Sequence, residues 1–254
     1  MKIIFIAFLL LTGCSQIGME LLKEEPVLIT PKVELWSNLK PLDGLPIPIA
    51  VYGFADKTGQ RRPNDKIAQL STAVTQGAEV FVIKALHDAK GWFKVVERVG
   101  LDNLVKERQL IRNQREVYEG KEAKPLRPLT VAGLMLDGGV VGYDTDIRTG
   151  GIGARMFKLG ASQQYRVDEI TVSMRLTSIA TGEILLSVAT TKTIYSLVDD
   201  KGLMMFISAG VTALEVEQGS SINEPTTYAV RVAIEQAIYE MILEGERKGL
   251  WRYK

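Results

Sequence analysis

The stretch Gly142–Ile222, GYDTDIRTGGIGARMFKLGASQQYRVDEITVSMRLTSIATGEILLSVATTKTIYSLVDDKGLMMFISAGVTALEVEQGSSI, decides the fold. Its centre, residues 169–189, reads as ordinary strands. Ile170, Val172, Met174 and Leu176 alternate with Thr171, Ser173 and Arg175, and a turn at Thr181-Gly182-Glu183 leads into Ile184–Val188. The flanking segments, 142–168 and 190–222, differ from it. They carry β-type residues with many Gly, Thr and Ser and few charges in their middles, so neither can form a dense core. Each has room for two strands of about ten residues and a tight turn, the length a tilted strand needs to cross a bilayer. In the second segment, Thr193, Tyr195 and Leu197 lead to a turn at Asp199-Asp200-Lys201-Gly202. Leu203, Met205, Ile207, Ala209, Val211 and Ala213 then share one face, and the first five are the lipid-facing candidates. In the first, Tyr165 and Val167 face one way, Gln164, Arg166 and Asp168 the other. Barrel-strand signals are weak per segment, and the same pattern also fits two soluble hairpins on an ordinary sheet.

Outside this stretch, the chain of 254 residues allows one or two domains with a sizeable core. Lys and Arg number 31 against 30 Asp and Glu, a balance that gives no footprint for nucleic acid. No apolar run is long enough for a transmembrane helix. A membrane can therefore be engaged only by β-strands or by lipid.

Lys2 and the apolar run Ile3–Leu11 read as the start and core of a secretory signal, with Leu11-Thr12-Gly13-Cys14 following. This is the lipobox pattern of an apolar residue, two small residues and cysteine. Residues 1–13 are expected to be removed and Cys14 to carry a diacylglycerol and an N-acyl chain. Acyl chains contribute ~0.8 kcal/mol per buried CH₂, so several make a stable anchor. Cys14 is the single cysteine, which excludes an internal disulfide. Ser15 stands where an aspartate would signal inner-membrane retention, which points to the outer membrane.

Residues 14–46 read as a lipidated extended arm broken by Pro26, Pro31, Pro41 and Pro46. Trp36 pins that arm, with its own domain the favoured surface. Residues 47–141 read as a compact α/β unit. It has a strand at Ile49–Phe54, a loop over 56–70 and a helix capped by Ser71 with Val74, Ala78, Phe81, Val82 and Ala85 on one stripe. A strand Phe93–Glu97 and a second helix, Leu101–Arg115, follow, with Leu101, Leu104, Val105 and Ile111 inward. After Pro128 a short helical turn precedes a strand Met135–Tyr143. Residues 223–254 hold a helix with Pro225 in its first turn and Gly249 at its end. The fold class is α+β: a small α/β domain plus two hairpins at 142–168 and 190–222 around the strands of 169–189.

Catalytic chemistry is thin. His87 is the single histidine, so a metal site of His and Cys is excluded. Gly150-Gly151-Ile152-Gly153 lacks the Gly-Lys-Ser/Thr of a phosphate loop. No nucleophile–base pair stands out, and an enzyme is not expected.

Several motifs together resemble the curli secretion channel family of CsgG type. They are Asp56-Lys57-Thr58-Gly59-Gln60, Pro63, Ser71-Thr72-Ala73-Val74 with Gln76, and Glu97-Arg98 with Gly100-Leu101. Glu107-Arg108, Gly150–Arg155, Thr181–Ile184 with Ser187, Asn223-Glu224-Pro225 and Gly249-Leu250-Trp251 complete them. The resemblance implies a lipid-anchored outer-membrane pore exporting unfolded curli subunits, with periplasmic adaptor and surface nucleation partners. It implies a ninefold ring in which each copy gives two transmembrane hairpins to one shared barrel. Four strands from each of nine copies make thirty-six, the size of the largest known barrel. It also implies that the 56–70 loop narrows the pore. The family's tyrosine and Asn-Phe positions there are held by Asn64 and by Gln69-Leu70, so Asn64, Gln69 and Leu70 are the constriction candidates. Independently, four strands cannot close a barrel, and an open edge in lipid costs several kcal/mol per unsatisfied group. The competing reading is a monomeric periplasmic lipoprotein that scaffolds other machinery.

Overall fold

The computed structural model describes residues 34–59, 74–149, 164–198, 204–209, 214–219 and 224–254. Residues 31–254 form one compact unit, and all described residues belong to it. The fold is α+β, as expected. A 3₁₀ turn at Glu34–Asn38 precedes β1 (Ile47–Asp56), α1 (Ala78–Asp88), β2 (Phe93–Val96) and α2 (Leu101–Tyr118). Then come β3 (Leu134–Thr149), β4 (Gln164–Ser178), β5 (Ile184–Val198), β6 (Met204–Ala209), β7 (Leu214–Gly219) and α3 (Glu224–Arg247). The seven strands form one sheet in the order β2-β1-β3-β4-β5-β6-β7. β1 pairs in parallel with β2 and β3, and every later pairing is antiparallel.

The alternation seen in the sequence builds the core. Leu136, Val140, Ile170, Val172, Met174, Leu176 and Leu186 are all buried, and α1 and α3 cover them. α3 is buried nearly all round, through Ala229, Val230, Ala233, Ile234, Ala237, Ile238, Met241 and Ile242. Gly138 and Gly139 admit β1 closely. A Cβ at Gly138 would lie 2.6 Å from the Phe54 ring, and one at Gly139 would lie 2.4 Å from the Ala55 carbonyl oxygen. The register of β1 against β3 shifts between Val51 and Phe54, where that approach occurs.

The described ends of the compact unit meet. Leu42 bridges Tyr253, and the Lys254 amide donates to the Pro41 carbonyl at 2.9 Å. Trp251 packs edge-on against Trp92 at 5.9 Å and Phe93 at 6.4 Å, and its indole N–H donates to the Ile242 carbonyl at 2.8 Å. Burial, seconded by the charge of Glu246, pushes the Tyr253 phenol above its ordinary value. Trp36 packs on Tyr239 of α3, 6.2 Å between ring centres, so the arm's tryptophan sits on its own domain.

Several sequence expectations shift. Helix α1 starts at Ala78 with Gly77 as its cap, seven residues beyond Ser71, which lies outside the described residues. The stretch after Pro128 is irregular, and the 3₁₀ turn sits earlier, at Gly120–Glu122. α2 buries none of its residues, although Leu101, Leu104, Val105 and Ile111 were expected inward. The strand order explains this. β1 to β2 steps one way across the sheet and β2 to β3 the other, so right-handed crossovers put α1 and α2 on opposite faces. The main core lies on the face of α1 and α3. A separate small cluster consists of Ala50, Val96 and Ala132.

Gly245 of α3 lies flat beneath Trp251, and a Cβ there would come within 2.0 Å of the indole. Alanine normally stabilises a helix interior over glycine by about 1 kcal/mol. Gly245→Ala is instead expected to destabilise, because overpacking a core costs typically about 1–3 kcal/mol. Thermal unfolding followed by tryptophan fluorescence should show a lower Tm, and a rise would contradict this packing.

Candidate channel-forming site

β3, β4 and β5 are 16, 15 and 15 residues long, roughly 50 Å each at about 3.3 Å per residue. The ladder between them runs nearly their whole length, with one-residue register shifts between Val140 and Gly142 on β3 and between Leu176 and Thr177 on β4. β3 pairs with β4 from Leu134↔Ser178 to Thr149↔Gln164, and β4 with β5 from Thr177↔Ile184 to Tyr165↔Leu197. The segment 142–168 and the strands of 169–189 are therefore not separate elements. β4 runs through residue 168 without a break.

Helix cover ends part-way along these strands. The Thr190 hydroxyl donates to the Ala233 carbonyl at 2.7 Å, and Lys248 Nζ donates to the Leu185 carbonyl at 3.4 Å. α3 thus runs antiparallel to β5. The nine residues from Ala233 back to Glu224 span about 13 Å, or about four strand residues, which brings the helix start level with Ile194. Ile194 is buried, and its register partner on β4 is Asp168.

A polar cluster occupies that level. Asp168 is 2% exposed. Its Oδ1 accepts from Thr145 Oγ1 at 2.7 Å, Tyr143 OH at 3.2 Å and Arg166 Nε at 2.9 Å. A second guanidinium nitrogen of Arg166 lies 2.8 Å from the same oxygen and donates to Tyr143 OH at 2.8 Å. Three side chains from β3 and β4 thus converge on one oxygen of a carboxylate at the rim of the core. Alternation put Arg166 and Asp168 on one face, as found. The sequence reading did not single them out as a site. The available signal was an Arg-x-Asp pair at one end of a strand whose next residues on that face, from Ile170 to Leu176, are apolar.

Beyond this rim the sheet has two open sides. β1 pairs with β3 no further than Val140, so the distal edge of β3, from Gly142 to Thr149, has no strand partner among the described residues. β7 pairs with β6 alone among them. The second segment holds more reversals than expected. β5, β6 and β7 form a meander, with β6 ending at Ala209 and β7 running back from Leu214. Met205, Ile207 and Ala209 occupy alternate register positions opposite Leu197, Tyr195 and Thr193. Leu203 and Val211 lie outside the described residues, as do Cys14, Asn64, Gln69 and Leu70.

The two feet of the 56–70 loop region are described. Asp56 Oδ1 accepts from the Thr58 amide at 2.9 Å and the Thr58 hydroxyl at 2.6 Å. Asp56 Oδ2 accepts from Gln76 Nε2 at 3.2 Å, and that amide also donates to the Val74 carbonyl at 3.0 Å. The structure therefore joins residues that the sequence separates by twenty positions.

A model of the family "Curli production assembly/transport component CsgG" matches residues 38–254. The chain is 38% identical over 256 residues to the curli production assembly/transport component CsgG of Salmonella typhimurium, covering 98% of this chain and 90% of that one. This chain belongs to the CsgG family. The Escherichia coli CsgG is likewise 38% identical over 257 residues, covering 98% of this chain and 89% of its own length. Among solved structures, a PelC dodecamer from Paraburkholderia phytofirmans aligns with 79% of this CsgG-family chain and 92% of its own, at 14% identity and a TM-score of 0.31. Lipoprotein GNA1162 from Neisseria meningitidis aligns with 81% and 98%, at 11% identity and the same TM-score of 0.31. Among the described residues, no helix is long and apolar enough to cross a membrane, and no His, Cys, Asp and Glu group could hold a metal ion.

Asp168→Ala would leave Arg166 without its counter-charge and the Tyr143 and Thr145 hydroxyls without their acceptor. The expected loss is about 1–3 kcal/mol, moderated by the partial exposure of Arg166. Asp168→Asn keeps an acceptor oxygen and should lose less. Urea unfolding of the two variants beside the parent measures both, and equal stabilities would remove the cluster's structural role.

Proposed function

We propose that this chain is a curli-related transport component, acting as an outer-membrane lipoprotein whose copies share one β-barrel channel for unfolded curli subunits. The observation that carries the reading is the three-strand ladder that outgrows its core, in a sheet whose uncovered edges among the described residues are distal β3 and β7, in a chain of the CsgG family. Copies join edge to edge through these uncovered strands, so that ring closure removes every edge in lipid. Residues 142–168 and 190–222 form the wall. Met205, Ile207 and Ala209 of β6, with Leu203 and Val211, face lipid. The ring is ninefold by analogy with the family. The folded domain stands in the periplasm, where adaptor proteins dock, and nucleation partners act at the cell surface. Cys14 carries the acyl anchor and the complex needs no other cofactor. Asn64, Gln69 and Leu70 line the narrowest point, where a small ring of amides and a leucine gives unfolded chains weak apolar contact without aromatic stacking.

α2 supports self-association. An exposed helix of this length is marginal in water unless an apolar face is packed. Val105, Leu110, Ile111, Val117 and Tyr118 are between 38% and 81% exposed here, and a neighbouring copy in the ring is the surface that covers them.

Light scattering of the chain extracted in mild detergent should give a mass many times the 28.1 kDa of one copy. A monomer would overturn the channel and favour a periplasmic scaffold. Cys14→Ala should leave the protein in the soluble fraction or unassembled, and an unmodified Cys14 on membrane-bound protein would refute the anchor.

In planar bilayers, Gln69→Ala combined with Leu70→Ala should raise single-channel conductance. Unchanged conductance in assembled rings would move the constriction away from this loop.

A further inference from the structure

We propose that the cleft between α2 and the segment returning from it is a docking groove for an acidic, extended segment of a partner protein. The inference goes beyond the functional reading above and stands on α2 and residues 120–130 alone.

α2 buries none of its residues, and its main neighbour is the turn at Gly120–Glu122. Beyond that turn the sequence repeats, as Lys124-Pro125-Leu126 and Arg127-Pro128-Leu129. Prolines three apart favour an extended helix of three residues per turn without internal hydrogen bonds, which leaves its carbonyls to other donors. Arginines take them at the same interval. Arg115 Nη1 donates to the Lys124 carbonyl at 2.9 Å, Arg108 Nη2 to the Arg127 carbonyl at 2.7 Å and Arg98 Nη2 to the Thr130 carbonyl at 3.2 Å. The return segment is thereby pinned alongside α2, and a groove of about 630 Å³ lies between them.

Its charge is one-sided. Arg108, Arg112, Arg115 and Lys124 line it, with Glu116 the one acid among the described lining residues. The whole chain is balanced, 31 basic residues against 30 acidic, so the surplus is local. Arg112 meets Glu116 at 3.8 Å, but the two side chains are 66% and 63% exposed, a pairing too weak to occupy the guanidinium. Arg108 and Arg115 are half-buried, and each keeps further N–H donors beyond the one given to the return segment. Pro125 and Leu126 supply an apolar wall opposite. Along the axis of α2, Arg108 and Arg112 stand about 6 Å apart, and Arg112 and Arg115 about 4.5 Å. Side chains on one face of an extended chain recur every ~6.6 Å. A strand with carboxylates at alternate positions therefore meets two arginines at once and turns its intervening side chains toward the apolar wall. Helix periodicity puts Leu110 and Val117 on the other side of α2 from Arg108, so a neighbouring copy packed there leaves the groove open. A flat anionic bilayer reaches Arg112 but not the half-buried Arg108 and Arg115.

The test is a fluorescence-anisotropy titration of the full chain in mild detergent. The probe is a labelled nonapeptide alternating glutamate with leucine, and its twin carries glutamine for glutamate. The parent should bind the glutamate peptide about tenfold or more tighter than its twin. Among the described residues Arg112 makes no hydrogen bond to the return segment, so substitution there leaves the groove standing. Arg112→Gln should weaken binding about threefold and Arg112→Glu about tenfold, both with the parent's Tm. Arg252→Gln, at an exposed arginine elsewhere, should bind as the parent does.

Equal affinity for the two peptides, or no response to Arg112→Glu, would overturn the proposal. A parent that binds neither peptide would overturn it too, because another part of the assembly would then fill the groove. Short-chain phosphatidylglycerol is the rival ligand. If it displaced the probe at lower concentration than the unlabelled glutamate peptide, the groove would be a lipid contact and the proposal would fall. The readout needs no conductance. A chain that proved monomeric by light scattering and still bound the glutamate peptide would refute the ring and keep the groove.

Discussion

The antiparallel ladder β3–β4–β5 is the constraint on which the rest of the structure depends. Its β4–β5 pair keeps one register from Leu176↔Leu186 to Tyr165↔Leu197, while β3 shifts by one residue against β4 between Val140 and Gly142, so it is in β4 and β5 that the buried and distal parts share one register. A slip by one residue would turn Ile170, Val172, Met174 and Leu176 out of the core and turn every distal side chain over with them. The helix-covered half therefore sets the facing of the uncovered half. That coupling lets a domain folded in water specify strands that do not have a core of their own.

Where the cover stops, chemistry changes over a short distance. Ile194 and Ile170 are the last buried side chains on the helix side of β5 and β4, and Asp168 with its three partners follows at once. A carboxylate in that position is tolerable only because its acceptor is saturated by a guanidinium and two hydroxyls. Isoleucine-level burial on one side and a saturated charge on the other fix the height at which α3 begins. Gly138 and Gly139 do the analogous job at the parallel edge, where side chains would push β1 off the ladder.

Much of the fold was legible because period-two alternation is explicit in Ile170–Leu176 and because α3 carries an apolar pattern with Pro225 and Gly249 at its ends. Alternation does not report whether a helix covers the strand, so the limits of 142–168 could not be read as a continuation of β4. The reversal between Ala209 and Leu214 was hidden by small residues that fit a strand equally well. Ser71 looked like a cap by residue type, yet the helix takes Gly77. The apolar residues of α2 have helical spacing, but strand order sends that helix to a face with little core. The Asp168 cluster and the Asp56–Gln76 contact need tertiary proximity, and sequence spacing alone carries no trace of it.

The junction of Pro41 with Lys254 and the edge-on packing of Trp251 against Trp92 have a kinetic side. α3 and the residues after it are synthesised last, yet they supply one wall of the core and the indole that sits on Gly245. Contacts of such large sequence separation form slowly and late. The chain cannot close its core during synthesis, while its C-terminal helix is still missing. A polypeptide built this way reaches completion still threadable. Its own order of assembly thus keeps the core open until the last residues have been made.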